Sequence, residues 1–330
     1  MDVRTAREDG PPRRKYSAKE PVSSAAHARA KLARENGLLL IRGPLARFQK
    51  RADVATQTSE FQNKNVLITG GGRGIGKRFA LGFARLGARI ALLGRSKAEI
   101  DLAHIEIEQA GANALRIRAD VTDPEQLALA VDRIRVVFGG PVDLLICAAA
   151  IPGPLHPLLQ TSLKAWAETI QINLFGVVHS CRAVLPSMIE KRGGKIIVLT
   201  CQDNEPPHLN FSAYSTSKAA VVRFVESLAA EVIDHNVQVN CLDPGPAYTN
   251  LTDEIIRAET RLEPRIVASA KETRRTGGVS PDVQLEHAAF LASEHSNHIT
   301  GKLIQVTDDW KKLKNAALRP DALTLRRAQK

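Results

Sequence analysis

The stretch Val66-Leu-Ile-Thr-Gly-Gly-Gly-Arg-Gly-Ile-Gly76 decides the fold. Its apolar start predicts a short buried strand, and the glycines that follow predict a loop that opens a helix. Gly70, Gly74 and Gly76 would let the backbone turn tightly and pass close to a pyrophosphate, while N–H groups of the helix N-terminus around Ile75 face the anion. A glycine run by itself is more often a plain turn, but the order strand, loop, helix favours phosphate binding.

Apolar strands alternate with helical segments from this loop to Val306. We predict strands at Val66–Thr69, Arg89–Leu93, Ala114–Arg118, Val142–Cys147, Gly194–Leu199, Val237–Leu242 and Lys302–Val306. Helices are predicted at Gly76–Leu86, Lys97–Ala110, Asp123–Phe138 and Leu163–Pro186, and around Tyr214 as far as Asp234. Buried strands that alternate with helices form a parallel sheet covered on both faces. The pattern therefore predicts an α/β fold with one doubly wound parallel sheet of about seven strands.

The end of the second strand reads Leu93-Gly-Arg-Ser-Lys97. An acidic residue here would hold the ribose 2′-hydroxyl of NAD, whereas an arginine accepts the 2′-phosphate of NADP. Arg95 and Ser96 stand at this point, and Arg73 of the glycine loop reaches the same space. We therefore predict NADP(H) rather than NAD(H), with a merely solvent-facing Arg95 as the alternative. Asp120, after the third strand, is placed either to accept a hydrogen bond from an adenine amino group or to cap the next helix.

Tyr214 and Lys218 stand four residues apart in Ala213-Tyr-Ser-Thr-Ser-Lys218. On a helix this spacing puts both side chains on one face, with the ammonium near the phenol. A neighbouring cation favours the phenolate and lowers the pKa of a tyrosine from its usual value of about 10. Tyr214 could then exchange a proton with a substrate hydroxyl or carbonyl near neutral pH. The pair occurs by chance in many helices, but its place downstream of the glycine loop makes it informative.

The composition is that of a globular protein. Of the 330 residues, 44% are hydrophobic, which suits one large α/β domain. The four cysteines, Cys147, Cys181, Cys201 and Cys241, show no CxxC spacing. This argues for a reducing compartment, which we take to be the cytoplasm, and against a disulfide framework or a metal site. No apolar run is long enough to span a bilayer.

The net charge of +11 is confined to the two ends of the chain. Residues 1–60 carry 13 Lys/Arg and 7 Asp/Glu, residues 311–330 carry 7 and 1, and the body carries 26 and 27. We therefore expect a flexible basic N-terminal extension at 1–60, one domain at 61–310 and a flexible basic C-terminal tail at 311–330. Basic tails can bind nucleic acid or anionic lipid, but they are more often solvated arms or oligomer contacts. No nucleic-acid or membrane partner is expected.

Five motifs follow one another in a familiar order. The glycine loop, Asp120-Val121, Asn173-Leu-Phe-Gly176, the Tyr-x-x-x-Lys pair and Asp243-Pro-Gly245 together resemble the short-chain dehydrogenase/reductase family. The resemblance covers about residues 62–310 and implies a single-domain Rossmann fold. It also implies hydride transfer between a nicotinamide and a carbonyl or alcohol, and a homo-oligomer, dimer or tetramer, with contacts through helices such as the one that carries Tyr214.

The resemblance implies a role for each matching residue. Tyr214 would be the general acid/base, Lys218 would lower its pKa and hold the nicotinamide ribose, and Asn173 would support a proton relay. Further matching positions would line the cofactor: Val121, Ala148, Ala149, Pro244, Gly245 and Thr249.

Three departures from the family pattern lie near this chemistry. The serine that orients the substrate oxygen normally stands thirteen residues before the tyrosine, where this chain has Cys201 preceded by Thr200. Since a thiol is a weak hydrogen-bond donor, either Thr200 replaces the serine, or Cys201 serves weakly, or the chemistry is altered. The Asn-Asn-Ala-Gly turn reads Cys147-Ala-Ala-Ala150, which adds a methyl group where the cofactor passes. The usual Asp-Gly-Gly near the end reads Asp308-Asp-Trp310.

The substrate side of the site is expected to lie under residues 250–278. This segment should form an amphipathic helical lid, with an apolar face that includes Ile255, Ile256, Leu262 and Ile266. We interpret His208, between Cys201 and Tyr214, as a solvent-facing loop residue rather than part of the pocket entrance.

Our first hypothesis is an NADP-dependent oxidoreductase that acts on a small carbonyl or alcohol compound. Two alternatives stay open. One is an enzyme of this fold that carries out an isomerisation, cyclisation or elimination without hydride transfer. The other is a non-catalytic binding or scaffold protein.

Overall fold

The computed structural model describes residues 60–201, 208–319 and 321–325. All of them belong to the compact unit Ala52–Lys330. The predicted N-terminal extension at 1–60 lies outside the described residues, apart from Glu60.

Seven parallel strands form one sheet in the order β3-β2-β1-β4-β5-β6-β7. They are β1 (Asn65–Thr69), β2 (Arg89–Gly94), β3 (Ala114–Arg118), β4 (Leu144–Cys147), β5 (Gly194–Leu199), β6 (Val237–Asp243) and β7 (Leu303–Gln305). The predicted doubly wound parallel sheet is confirmed. The fourth and seventh strands are shorter than predicted, and the residues they lose lie at the strand ends, where sequence patterns define boundaries poorly.

Helices connect the strands. They are α1 (Gly74–Arg85), α2 (Lys97–Gln109), α3 (Pro124–Phe138), α4 (Leu163–Ile170), α5 (Gly176–Glu190), α6 (Ser212–Val232), α7 (Asn250–Arg257), α8 (Pro264–Thr276), α9 (Pro281–Ala292) and α10 (Trp310–Leu313). Side-chain caps account for several starts. Ser96 accepts the Glu99 N–H at α2, Asp123 caps α3 ahead of Pro124, and Ser280 caps α9 ahead of Pro281.

The strands are apolar on both faces because helices cover both sides of the sheet. Alternate residues of β1 show this arrangement: Leu67 packs among α3, α5 and α6, while Val66 and Ile68 pack among α1, α2 and α9. Both groups of buried side chains are continuous across the sheet. This two-sided burial explains why β1, β2, β4 and β5 read as apolar runs, whereas the edge strand β3 alternates between buried and exposed residues.

The strand order reverses between β1 and β4, which are neighbours in the sheet although they are distant in sequence. Their register pairs Thr69 with Cys147, so both strands end at the same level. In open α/β sheets, ligands bind outside the carboxyl ends of the strands at such a switch point. The loops after Thr69 and Cys147 are therefore the expected walls of a binding crevice.

The predicted helix at Leu163–Pro186 is longer and less regular than expected. It runs from Leu163 to Glu190, with a π-helical turn at Gln171–Phe175 between α4 and α5. By length and composition alone, this stretch could cross a membrane. Three of its apolar side chains, Val177, Val184 and Met188, are buried in the core beside the sheet, whereas Leu163 and Phe175 are exposed.

The described part of the C-terminal tail packs against the domain, although we predicted a flexible extension. Three leucines spaced among its basic residues, Leu313, Leu318 and Leu323, pack against the buried core. The Leu303 N–H of the edge strand β7 donates to the Leu323 carbonyl at 2.8 Å. Asp309 caps α10, and the ring of Trp310 lies 5.4 Å from that of Phe290. Apolar burial thus holds a segment whose overall charge suggested a solvated arm.

Candidate active site

A cavity of about 800 Å³ opens at the carboxyl ends of the strands. It reaches from the glycine loop to the lid helices α7 and α8. Most of the predicted site residues line it: Gly70, Arg73, Gly74, Ile75, Gly76, Arg95, Ser96, Val121, Ala148, Ala149, Thr200, Cys201, Tyr214, Lys218, Pro244, Gly245 and Thr249. Asp120 and Asn173 do not line the cavity. The structure therefore brings together side chains from positions 70 to 249 of the chain.

The glycine loop packs so closely against its own backbone and against the loop after β4 that a side chain at Gly70 or Gly76 would clash with the protein. Gly70 has φ of +67°, and a Cβ there would come within 2.8 Å of the Ala149 Cα. A Cβ on Gly76 would overlap the Gly70 carbonyl oxygen. Arg73 stands at the N-cap of α1 without a side-chain cap, and the first turn holds no acidic residue. The helix N–H groups are thus available to an anion, and the loop fits the pyrophosphate of a dinucleotide.

Both predicted phosphate-binding arginines flank the cavity, and both pair with carboxylates. The Arg73 Nη1 lies 3.1 Å from the Glu99 Oε1, and the Arg95 Nη1 lies 3.7 Å from the Asp120 Oδ2. All four side chains are partly exposed, so each pair contributes little to stability. A phosphate at this point would compete with the two carboxylates for the guanidinium groups.

Asp120 is engaged mainly in a local turn. Its Oδ1 accepts from both the N–H and the hydroxyl of Thr122 at 2.9 Å. The helix that follows is capped by Asp123, not by Asp120. The alternative that Asp120 caps α3 is therefore wrong, because the capping carboxylate lies three residues further on.

Tyr214 and Lys218 share one face of α6, as their spacing predicts. The Lys218 Nζ lies 5.7 Å from the centre of the Tyr214 ring and donates to the Leu199 carbonyl at 2.9 Å. The lysine side chain is buried, and burial lowers its pKa from the ordinary value. The carbonyl at the end of β5 thus fixes the ammonium beside the phenol ring.

Asn173 lies in the π-helical turn and is buried away from the cavity. Its Oδ1 accepts from the Ile151 N–H and its Nδ2 donates to the Ile151 carbonyl, both at 2.9 Å. The Nδ2 also lies 3.0 Å from the Ser217 Oγ on α6. The asparagine therefore ties the loop after β4 to the helix that carries Tyr214. π-Helical turns inside α-helices are frequent at functional sites.

A sequence model of the short chain dehydrogenase family matches residues 64–260. The chain belongs to the short-chain dehydrogenase/reductase family. Members of this family are oxidoreductases that use NAD(P)(H). The 5-keto-D-gluconate 5-reductase of Escherichia coli (strain K12) is 29% identical over 243 residues, which are 74% of this chain and 93% of that protein.

Two further comparisons bear on the cofactor. A protein of Arabidopsis thaliana described as NADPH-dependent aldehyde reductase-like protein, chloroplastic, is 30% identical over 256 residues, 73% of this chain and 91% of that protein. The crystal structure of NAD+-bound xylitol dehydrogenase matches with a TM-score of 0.67 and 28% identity, covering 74% of this chain and 98% of that one. Relatives of this short-chain dehydrogenase/reductase thus include proteins described with each nicotinamide cofactor.

Thr200 and Cys201 directly follow β5, at the position that we predicted to correspond to the serine of the family. Thr200 is buried, and its hydroxyl lies 3.4 Å from the Lys218 carbonyl oxygen. The Cys201 side chain is only half-buried and lines the cavity. The other three cysteines are buried. Burial raises the pKa of Cys241, and a hydrogen bond with Cys147 together with burial raises the pKa of Cys181. Only the thiol of Cys201 therefore faces this site.

The predicted lid consists of two helices, α7 and α8, and the turn between them. Ile255 and Ile266 line the cavity, whereas Leu262 is buried in a small cluster with Phe211. His208 is half-buried in the cavity wall, with its ring centre 5.8 Å from that of Phe211. Our solvent-facing interpretation of His208 is wrong, because the residues that follow it are bonded to the turn between the lid helices: the Leu209 N–H donates to Glu263 and the Asn210 side chain to the Arg261 carbonyl.

Several residues of the cavity wall were not predicted from the sequence: Glu99, Ile151, Phe211, Arg265, Ser269 and Thr273. Ser269 and Thr273 share one face of α8 with Ile266, so helical spacing from that isoleucine could have found them. Glu99 and Phe211 carry no signal of their own. Among residues 60–201, 208–319 and 321–325, no cluster of three or more His, Cys, Asp or Glu side chains could hold a metal ion.

Proposed function

We propose that this protein is an NADP(H)-dependent oxidoreductase that reduces a carbonyl group of a small molecule or oxidises the matching alcohol. One observation carries the proposal: a single cavity is lined at one end by the glycine loop and at the other by Tyr214 and Lys218. Hydride transfer requires a dinucleotide site next to a group that can exchange a proton with the substrate oxygen.

The residues of this chain would divide the chemistry as follows. Bound in the cavity, the nicotinamide supplies the hydride for reduction or accepts it in oxidation. Tyr214 gives its phenolic proton to the carbonyl oxygen and takes it back in the reverse direction. Lys218 stabilises the phenolate because its ammonium is fixed beside the ring. Asn173 holds the loop after β4 against α6 and so keeps Tyr214 in place.

Further residues would complete the two halves of the site. Four of them line the cavity: Ser96 and Val121 would hold the adenosine part of the cofactor, and Ala148 and Ala149 would border its middle part. Pro244, Gly245 and Thr249 would border the nicotinamide. Thr200 and Cys201 lie at the substrate end, where we assign the contact with the substrate oxygen to the Cys201 thiol because the Thr200 hydroxyl faces the Lys218 carbonyl.

The preference for NADP(H) rests on Arg95 and Arg73 at the cavity wall and on the lack of an acid directly after β2. A charge-assisted contact to a phosphate contributes about 1.5–3 kcal/mol, so we expect NADPH to bind at least tenfold more tightly than NADH. Titration of the protein with each nucleotide, followed by nucleotide fluorescence, measures this. Arg95→Met should remove most of the preference.

A matched control is Arg116→Met, which removes an arginine that pairs with Asp101 and does not line the cavity. It should leave both affinities within about twofold, since a distant exposed charge is screened at physiological salt. Equal affinity of the wild type for NADPH and NADH would contradict the assignment of Arg95. Binding of neither nucleotide would contradict the proposed function as a whole.

We also infer a homo-oligomer in the cytoplasm. An apolar groove on α5 and α6 supports the oligomer; its walls are Val178, Cys181, Arg182, Leu185, Pro186, Ile189, Phe224 and Leu228. None of the four cysteines forms a disulfide, which suits a reducing compartment. Light scattering tests the oligomer, and a monodisperse monomer would contradict it.

The half-buried thiol at position 201 favours one second candidate, a reaction at the same site without hydride transfer. Such a reaction would keep Tyr214 to polarise an oxygen and would need no strong donor at Cys201. Product formation without any change in nicotinamide absorbance would distinguish it.

A further inference from the structure

Gln284 is a buried amide on the inner face of α9. Its side chain is fully shielded, at 0% relative exposure. The Nε2 donates to the Pro244 carbonyl at 2.8 Å, and the Oε1 accepts from the Arg78 Nη1 at 3.3 Å. Burying an amide is unfavourable unless its polar atoms are bonded. The two contacts of Gln284 join the segment after β6 to the helix that follows the glycine loop.

Arg78 makes the connection from the α1 side. Its guanidinium is half-buried, and burial lowers its pKa from the ordinary value. Besides the contact with Gln284, its Nη2 lies 3.4 Å from the Tyr248 carbonyl oxygen. Arg78 and Gln284 therefore reach the backbone of the segment Pro244–Thr249 at two points, one near each end.

The helices that carry the two side chains are held at a fixed separation. α1 packs against α9 with Gly82 facing Leu285, and a Cβ on Gly82 would come within 2.6 Å of the leucine Cδ1. Such close packing leaves little freedom to slide one helix along the other. The packing of the two helices therefore fixes the position at which the Arg78 guanidinium contacts the Gln284 amide.

The segment that they hold borders the cavity. Pro244, Gly245 and Thr249 all line it, and Gly245 has φ of +65°. Thr249 is the N-cap of the first lid helix, α7, and faces Gly74 of the glycine loop. A shift of this segment would change both the wall of the cofactor site and the base of the lid.

We propose that Arg78 and Gln284 are a positioning pair that fixes the Pro244–Thr249 segment against α1 and thereby sets the affinity for the nicotinamide cofactor. Neither side chain lines the cavity, so the effect is transmitted through the backbone of the segment. This inference rests on the proposed function for its cofactor, but the ordering of the segment does not depend on it.

The test compares two buried glutamines. Gln284→Met keeps the volume and removes both hydrogen bonds, which should raise the Kd for NADPH about tenfold, the loss expected for one or two buried hydrogen bonds. Gln238→Met is the matched control. Gln238 is also buried, but it lies at the opposite end of β6 and bonds to the Asn236 Oδ1. It should change the Kd less than twofold.

Amide hydrogen exchange of the protein without cofactor gives a second readout. In Gln284→Met, exchange at residues 245–252 should quicken at least tenfold while the strands of the core keep their protection. In steady-state kinetics KM for NADPH should rise, whereas kcat, extrapolated to saturating NADPH, should change less than threefold. A uniform loss of protection would mean that Gln284 is only a structural residue and would overturn the proposal.

Arg78→Met keeps the test decisive if Gln284→Met does not fold, since Arg78 is only half-buried. It should show the same increase in the Kd for NADPH and the same faster amide exchange at residues 245–252. In the double variant the two effects should not add, because each change breaks the same connection. If the wild type binds neither nucleotide, the proposed function fails while hydrogen exchange still tests the pair. Unchanged affinity and unchanged exchange in both variants would overturn the positioning role.

Discussion

In the proposed mechanism the Cys201 thiol, which lines the cavity, contacts the substrate oxygen, where a hydroxyl would be a stronger hydrogen-bond donor. A thiol donates a hydrogen bond weakly, and removing one oriented donor from such a site typically costs a factor of about 10²–10³ in rate. Thr200 does not obviously replace it, since its hydroxyl lies 3.4 Å from the Lys218 carbonyl oxygen. We expect Cys201→Ser to raise kcat at least tenfold with a carbonyl substrate found by screening with NADPH.

Thr200→Val is the comparison variant for this change. It removes a hydroxyl from the neighbouring position. The fold decrease in kcat of Thr200→Val should be smaller than the fold increase in kcat of Cys201→Ser. A lower rate in Cys201→Ser would show that the sulfur itself takes part in the reaction. Equal rates in the wild type and Cys201→Ser would mean that no donor is needed at this point.

Tyr214 is the residue on which the proposed proton transfer depends. General acid/base groups typically contribute about 10²–10⁴ in rate, so Tyr214→Phe should lower kcat by at least a hundredfold. The ring and its contact with the Lys218 ammonium are retained, so the Kd for NADPH should change less than threefold. Steady-state kinetics and fluorescence titration on the same preparation measure the two quantities. Full activity in Tyr214→Phe would exclude the mechanism.

Individual residues differed in how far the sequence could predict them. Tyr214, Lys218 and the glycines were predictable because short-range geometry determines their relation: four residues on a helix, or one tight turn. Their convergence in one cavity follows from the strand order. Glu99, Phe211 and His208 were not predictable, because they reach the cavity only through the packing of α2, α6 and the lid.

At the scale of the elements, strands were easier to predict than the helix around Asn173. Two-sided burial gives most strands of this sheet an apolar run with a turn after it, whereas the edge strand β3 has an alternating pattern. The π-helical turn Gln171–Phe175 was not predicted from the sequence. The hydrogen bonds of Asn173 to Ile151 and Ser217 appear only in the folded chain.

Lys195 makes the stability of the contact between β5 and the turn after α9 depend on pH. It lies in β5, and its Nζ donates to the Ser296 Oγ and the Asn297 Oδ1 in the turn after α9, at 3.1 and 2.7 Å. Burial lowers its pKa from 10.5 to about 8. Between these two values the unfolded chain binds a proton that the folded chain does not, so the contribution of Lys195 to stability rises with pH. Below about pH 8 the folded protein carries a buried ammonium at a cost.

The stability of Lys195→Met relative to the wild type should therefore be greater at pH 7 than at pH 10, because only at the lower pH does the wild type bury a charged ammonium. From pH 7 to pH 10, the unfolding free energy of the wild type should rise by about 2–3 kcal/mol relative to that of Lys195→Met. Urea unfolding of both proteins at the two pH values measures it, and other titrating groups cancel in the difference. A gap that is independent of pH would show that the ammonium is not buried in the folded state.

At the scale of the whole molecule, the charge of the C-terminal tail predicts a solvated arm, whereas its contacts show a segment packed on the domain. Its +6 charge suggests a solvated arm, yet apolar side chains and backbone contacts hold the described part on the domain. The tail carbonyl of Leu323 pairs with β7, and the Arg223 Nη2 donates to the Leu325 carbonyl at 2.9 Å. The tail thus covers the edge of the sheet. An uncovered edge strand presents unpaired backbone groups that favour association with other chains.

Removal of residues 316–330 should therefore both destabilise the protein and promote its self-association. The loss of the half-buried Leu318 and Leu323 contacts should lower the unfolding free energy by about 2 kcal/mol, about 1 kcal/mol for each half-buried leucine. The exposed edge of β7 should add a concentration-dependent increase in mass in light scattering. The control is removal of residues 326–330, which deletes Arg326, Arg327 and Lys330 but none of the described contacts. If both truncations behave alike, charge rather than edge cover is the property of the tail that matters; if only the longer one associates, the tail acts as the cover of β7.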